Sequence, residues 1–202
     1  MLPFVIAILC LLAAVVAASG HFMGRLNRLR AACRQAFARL DEPLKARQDL
    51  VRDFIEHGSM QGLLQRQVRE SLQAARQTAG AARAWAAGRP DDVRALARVN
   101  DSEAQLARAL QAALQSVRPE VLSSAGLDVL VERLVQADDL VARRMTEFNQ
   151  AVSAYNRPVS RAPLGLLARV LGYQPSLPMG KALTPPVILP PSSTHACPGS
   201  VL

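Results

Sequence analysis

The chain has 202 residues; half of them (50%) are apolar but only 4% are aromatic. So few aromatics argue against a β-sandwich core, and the weight of alanine, leucine, arginine and glutamine points to long helices. Three cysteines exclude a disulfide scaffold, three scattered histidines argue against a histidine-rich metal site, and a formal charge of +8 raises the question of an anionic partner.

The chain opens on an uncharged stretch. No side chain that is charged at neutral pH precedes Arg25. The 18 residues from Leu2 to Ser19 span about 27 Å as a helix, and extension to Met23 gives about 33 Å, enough for a hydrocarbon core of about 30 Å. A soluble helix of this length would show a polar stripe, and there is none. Residues 1–23 are therefore expected to be a transmembrane anchor. Val16-Ala17-Ala18 would suit a signal peptidase, and cleavage there would leave a secreted or periplasmic bundle. A cleavable signal needs a basic n-region, which is missing, so a retained anchor is favoured. Arg25, Arg28, Arg30, Arg34 and Arg39 follow without an intervening acid. By the positive-inside rule, that flank expects a single-pass protein of the cell (inner) membrane with its bundle in the cytoplasm. The same arginines lie where anionic lipid would attract them, so the bilayer is an expected partner.

A first soluble helix is expected over residues 21–57, continuous with the anchor. Pro43, with Asp41 as a candidate N-cap, predicts a kink or break near Leu40. A second helix is expected over 60–87, stopping at Gly88-Arg89-Pro90. After a loop, Asn100-Asp101-Ser102-Glu103 reads as a restart of the chain into a third helix that ends before Pro119, although Asp91-Asp92 also suits a helix N-terminus. The fourth helix is expected over 124–156. A short apolar piece follows at 164–171. From Pro175 the chain holds seven of its 13 prolines and one charge, Lys181, which reads as a disordered tail over 175–202.

At 100° per residue, Leu26, Leu29, Cys33, Ala36, Phe37 and Leu40 share one arc, and the five arginines lie outside it. Leu64, Val68, Leu72, Ala75, Ala79, Ala82 and Ala86 form a second stripe. Leu130, Leu134, Ala137, Val141, Met145, Phe148, Val152 and Tyr155 form another. Helices of this kind joined by short loops predict an all-α antiparallel four-helix bundle with a long first helix, over residues 24–174.

Some polar residues fall beside the dry arcs. Arg47 lies among Leu44, Val51 and Phe54, and Asp138 borders the stripe of the fourth helix. Counted up from the membrane end, Arg47 stands about 33 Å and Asp138 about 28 Å high, within one turn of each other. That predicts an Arg47–Asp138 ion pair, which would set register more than strength. Asn149 and Asn156 are seven apart and share a face, which reads as an asparagine pair at a helix seam.

The run Phe148-Asn149-Gln150-Ala151-Val152-Ser153-Ala154-Tyr155-Asn156 resembles the Y-N-x-x-V-x-x-Y-N of the LemA family of membrane-anchored helical proteins. Leu44-Lys45-Ala46-Arg47-Gln48-Asp49-Leu50-Val51 is similar to its L-K-x-R-x-D-L-I, and Asp138 falls where the family has the acid of its E-N-R-I stretch. Residues 163–168 with Gly172-Tyr173 resemble its F-P-x-N-x-x-A…G-F ending. Phe148 replaces a tyrosine, Pro43 a glutamine, Arg52 a proline, and Leu140 and Met145 basic residues. The resemblance implies a bundle whose first helix emerges from the membrane. It implies no catalytic activity, and partners among membrane or envelope proteins. Leu44, Arg47, Asp49, Leu50, Asp138, Phe148, Asn149, Val152, Tyr155 and Asn156 are then structural motif residues.

No glycine-rich phosphate loop, nucleophile elbow or C-x-x-C occurs. Glu56-His57 are adjacent rather than at Glu-x-x-His spacing, so no di-iron site, other metal or cofactor is expected. The basic excess is spread along the chain without an aromatic platform, which argues against nucleic acid. Cys33 lies on the apolar arc and reads as core packing. The expected function is a non-enzymatic membrane protein presenting a bundle to protein partners; a membrane-associated enzyme is the weaker alternative.

Overall fold

A computed structural model describes residues 2–118, 126–160 and 168–180, with the side chains of most residues between 2 and 18 outside the description. Among the described residues the chain is all-α. Its helices are α1 (Leu2–Met60), α2 (Arg66–Ala87), α3 (Val93–Ser116) and α4 (Asp128–Ser160). Among the described residues no helix is long and apolar enough to cross a membrane.

Cross-helix contacts give the direction of each helix. Phe37 of α1 meets Phe148 of α4 edge to face, with ring centroids 5.9 Å apart, and ten residues further up Arg47 reaches Asp138. α4 therefore runs antiparallel to α1. Asp41 takes Arg83 of α2, and Gln48 lies 3.6 Å from where a Cβ on Gly80 would be, so α2 also descends. α3 ascends again, from Asp91 beside Arg30 and Arg34 to Glu103 beside Arg47. α1 packs most extensively on α4, and α2 on α3.

Several boundaries differ from the sequence reading. α1 runs unbroken through Pro43. Proline removes one N–H and crowds the preceding turn, but Leu40 and Leu44 on either side are fully packed and hold the segment helical. Asp41 is no cap; it is an ion-pair partner of Arg83 at 2.9 Å. α1 ends in a Schellman turn, where Leu63 N–H bonds Gly58 C=O and Gly62 N–H bonds Ser59 C=O. Gly62 there has φ +68°, a conformation that favours glycine. α2 consequently starts at Arg66 rather than at residue 60.

The third helix starts at Val93, not at Asn100. Asp92 caps it, accepting from Arg94 N–H at 2.8 Å. The Asn-Asp-Ser-Glu run lies inside α3, because Ser102 and Glu103 are drawn into the interior, 4% and 1% exposed. α4 begins at Asp128 and carries Pro158 in its last turn, past the expected stop at 156. Residues 119–125, which include the expected start of this helix, and the first half of the apolar piece at 164–171 lie outside the described residues.

The tail also needs correction. Residues 175–180 are not free: Met179 is 3% exposed and belongs to the core with Tyr173 and Ala168. This extended strap adds six residues to the packed unit predicted to stop at 174. The remainder of the expected tail, 181–202, lies outside the described residues.

Candidate functional site

The bundle interior divides into two apolar halves. One, around Phe22, Leu26, Phe37, Val99, Phe148 and Val152, occupies the end from which α1 enters. The other, around Val51, Phe54, Leu72, Leu106 and Leu134, occupies the far end. A polar layer separates them. It consists of Arg47, Gln48, Ser102, Glu103 and Asp138, all less than 9% exposed.

In that layer one guanidinium meets two carboxylates. Arg47 Nη1 donates to Asp138 Oδ1 at 2.9 Å, and Arg47 Nη2 bonds Glu103 Oε2. Gln48 Nε2 donates to the other Glu103 oxygen at 2.7 Å. The cluster thus ties α1, α3 and α4 at one height. Among the described residues Arg47 Nε has no partner. A buried pair of this kind adds little net stability, but removing one member strands a charge. The expected Arg47–Asp138 pair is present. Glu103 was not anticipated, although a signal existed: it continues the spacing of Leu96, Val99, Leu106 and Leu110, where a carboxylate is out of place.

The strap is held by a second set of polar groups, all from helices. Asn156 Nδ2 donates to Ser176 C=O and its Oδ1 accepts Ser176 N–H, both at 2.8 Å. Asn149 treats Met179 in the same way, again at 2.8 Å for both bonds. Asn100 of α3 accepts Gly180 N–H at 3.0 Å, and Tyr155 hydroxyl donates to Gln174 C=O at 3.0 Å. The spacing explains the fit. Seven helical residues rise about 10.5 Å, and three residues of extended or polyproline-like chain cover about 9–10 Å. The two asparagines were expected to face a helix seam. They instead read the backbone of an antiparallel, non-helical segment.

The other motif residues divide by environment. Leu44, Phe148 and Val152 are fully buried, and Leu50 packs against the far core half. Asp49 is half-exposed and faces Arg52 at 3.3 Å.

Near the strap's start, a polar cavity of about 120 Å³ is lined by Arg30, Cys33, Asp91, Tyr155, Tyr173 and Ser176, among others. Burial, aided by the Asp91 charge, pushes the Cys33 thiol up to about 11. Burial foremost also raises the Tyr155 hydroxyl. Both therefore keep their protons at neutral pH. Arg30 and Arg34 share Asp91 at the rim, with Arg30 Nη2 3.0 Å from it. Nearby, the guanidinium groups of Arg98 and Arg89 lie over the Trp85 ring, 4.6 and 5.5 Å from its centroid. Among the described residues no group of three or more His, Cys, Asp or Glu side chains could hold a metal ion.

The sequence model of the LemA family matches residues 36–179, which cover the polar layer, the asparagine clamps and the strap as far as Met179. The chain belongs to the LemA family. The LemA match ends at the residue that Asn149 holds, so the strap is part of the family's domain rather than an appendage. No curated protein and no solved structure matches the chain.

Proposed function

We propose that this LemA protein is a non-enzymatic, single-pass membrane protein whose bundle presents helix faces to membrane or envelope proteins. One observation carries the reading: the uncharged stretch from Leu2 to Gly24 runs without a helical break into the bundle core, where Phe22 and Leu26 are already buried. A rod of this kind holds the domain at a fixed height above a bilayer. The flanking arginines favour the cytoplasmic side by the positive-inside rule.

Two features support partner binding. The interior is occupied by side chains, and burial holds the Cys33 thiol and the Tyr155 hydroxyl of the small cavity in their protonated forms near neutral pH. On α4, Val129 and Leu140 are 54% and 45% exposed. They are eleven residues apart, three turns, and so share one face.

Carbonate extraction of membranes carrying the full chain tests the anchor: the protein stays in the pellet, and release into the supernatant overturns the reading. Intact mass tests cleavage, since loss of residues 1–18 would give a secreted or periplasmic bundle. A reporter fused after Leu202 reports the side of the membrane.

A further inference from the structure

The chain reverses direction between α4 and the strap. α4 descends toward the end where α1 enters, and the strap climbs back from Gln174 beside Tyr155 to Gly180 beside Asn100. The described part of this reversal is residues 168–173. It is a second Schellman turn: Tyr173 N–H bonds Ala168 C=O at 2.9 Å, Gly172 N–H bonds Arg169 C=O at 3.0 Å, and Gly172 has φ +79°. Ala168 and Tyr173 are buried with Phe22 and Leu26, and Tyr173 hydroxyl donates to Asn27 Oδ1 at 2.7 Å. The turn is therefore clasped to α1 just past its uncharged lead.

What the turn leaves outside is apolar. Val170 is 85% exposed and Leu171 38%. Met23 on α1, also 38% exposed, lies one turn before Asn27. Arg25 and Arg28 lie in or next to the Met23–Asn27 turn of α1, Arg169 immediately precedes Val170, and Arg157 follows Asn156, which holds the strap at Ser176; all four are exposed and none is in an ion pair among the described residues. Exposed apolar side chains accompanied on the same elements by exposed cations without ion-pair partners match an anionic bilayer surface: apolar groups sink below the phosphates and the cations remain at them. The height agrees. Asn27 is four residues, about 6 Å, past Met23, and the headgroup layer of one leaflet is about 5–8 Å thick.

We propose that the Val170–Leu171 turn is a second membrane contact, an apolar wedge seated in the headgroup layer of an anionic bilayer beside the anchoring helix. A single helix leaves the bundle free to swivel and tilt; a second contact on one side fixes which helix faces look along the membrane and which look away. This inference rests on the anchored reading above.

The test uses the full chain in phosphatidylglycerol-containing nanodiscs, with Cys10→Ala and Cys197→Ala, and a polarity-sensitive label on Val170→Cys. Leu171→Cys is a second probe, and Met60→Cys at the far end of the bundle is the control. Expected are a blue shift and a loss of emission with brominated acyl chains at 170 and 171 but not at 60, both reduced in nanodiscs of phosphatidylcholine alone. Equal quenching at 170, 171 and 60, in protein whose helicity by circular dichroism is unchanged, overturns the wedge. Undiminished quenching in phosphatidylcholine overturns the role of the arginines. Release of the unmodified full chain by carbonate would instead remove the anchor itself, so the two failures are distinguishable.

Discussion

Asn156 bonds Ser176 twice, giving one hydrogen to its carbonyl and taking one from its amide, both at 2.8 Å. A helix side chain here does the work of a neighbouring β-strand. Because Asn149 repeats the pair on Met179, the backbone N–H and C=O of both Ser176 and Met179 are satisfied without a sheet.

Replacing Asn156 or Asn149 by Ala strips partners from a partly buried N–H and C=O, each group costing about 1–3 kcal/mol if left unsatisfied. The strap is expected to loosen before the bundle unfolds. Hydrogen exchange reads this directly: the Ser176 amide in Asn156→Ala, or the Met179 amide in Asn149→Ala, loses protection while α1–α4 keep theirs. Unchanged protection of those amides would show that apolar contacts alone hold the strap.

Arg47→Met leaves Glu103 and Asp138 buried without their cation. The expected loss is about 3–5 kcal/mol in chemical denaturation of the full chain in detergent. Replacing the cluster whole, with Arg47→Met, Glu103→Leu and Asp138→Leu, is expected to restore or exceed the starting stability by up to about 4 kcal/mol. A triple variant as unstable as the single one would mean that the ion pairs themselves supply strength.

The Cys33 thiol, held near 11 against an ordinary value of 9.0, makes stability fall as pH rises from 9 to 11. In that window the unfolded chain releases the proton and the folded chain retains it, so the unfolded state is favoured. Cys33→Ala is expected to flatten that part of the pH profile. At pH 8 only about one thiol in a thousand is ionised, so native Cys33 is expected to resist iodoacetamide until denaturant is added.

Phe148 is 1% exposed and meets Phe37 edge to face. Truncation to Ala is expected to cost about 3–5 kcal/mol, read by thermal unfolding of the full chain. The core half around Phe22, Leu26 and Phe37 carries the cost, so exchange protection falls most along residues 33–44.

The helices were legible because an amphipathic stripe is a local pattern: Leu26 to Leu40, Leu64 to Ala86 and Leu130 to Tyr155 each announce a period of about 3.6. Arg47 and Asp138 were legible for the same reason, as charges on dry arcs at matching heights. Boundaries were less so. Asn-Asp-Ser-Glu is a start signal on local propensity alone. Burial of Glu103 against Arg47 overrode it, and Asp92 took the cap eight residues earlier.

Periodicity and charge pattern in the chain are enough to specify an all-α bundle with a long first helix and an uncharged lead. Three further features arose only on folding: Glu103 joining Arg47 and Asp138, Asn149 and Asn156 clamping an extended strap, and Val170 left bare at a turn pinned to Asn27. A helical stripe depends on neighbours three and four residues away, so it is written in the order of residues. These contacts join residues from 20 to 146 positions apart, and only the packing of the helices decides which of many polar or apolar groups arrive at the same height.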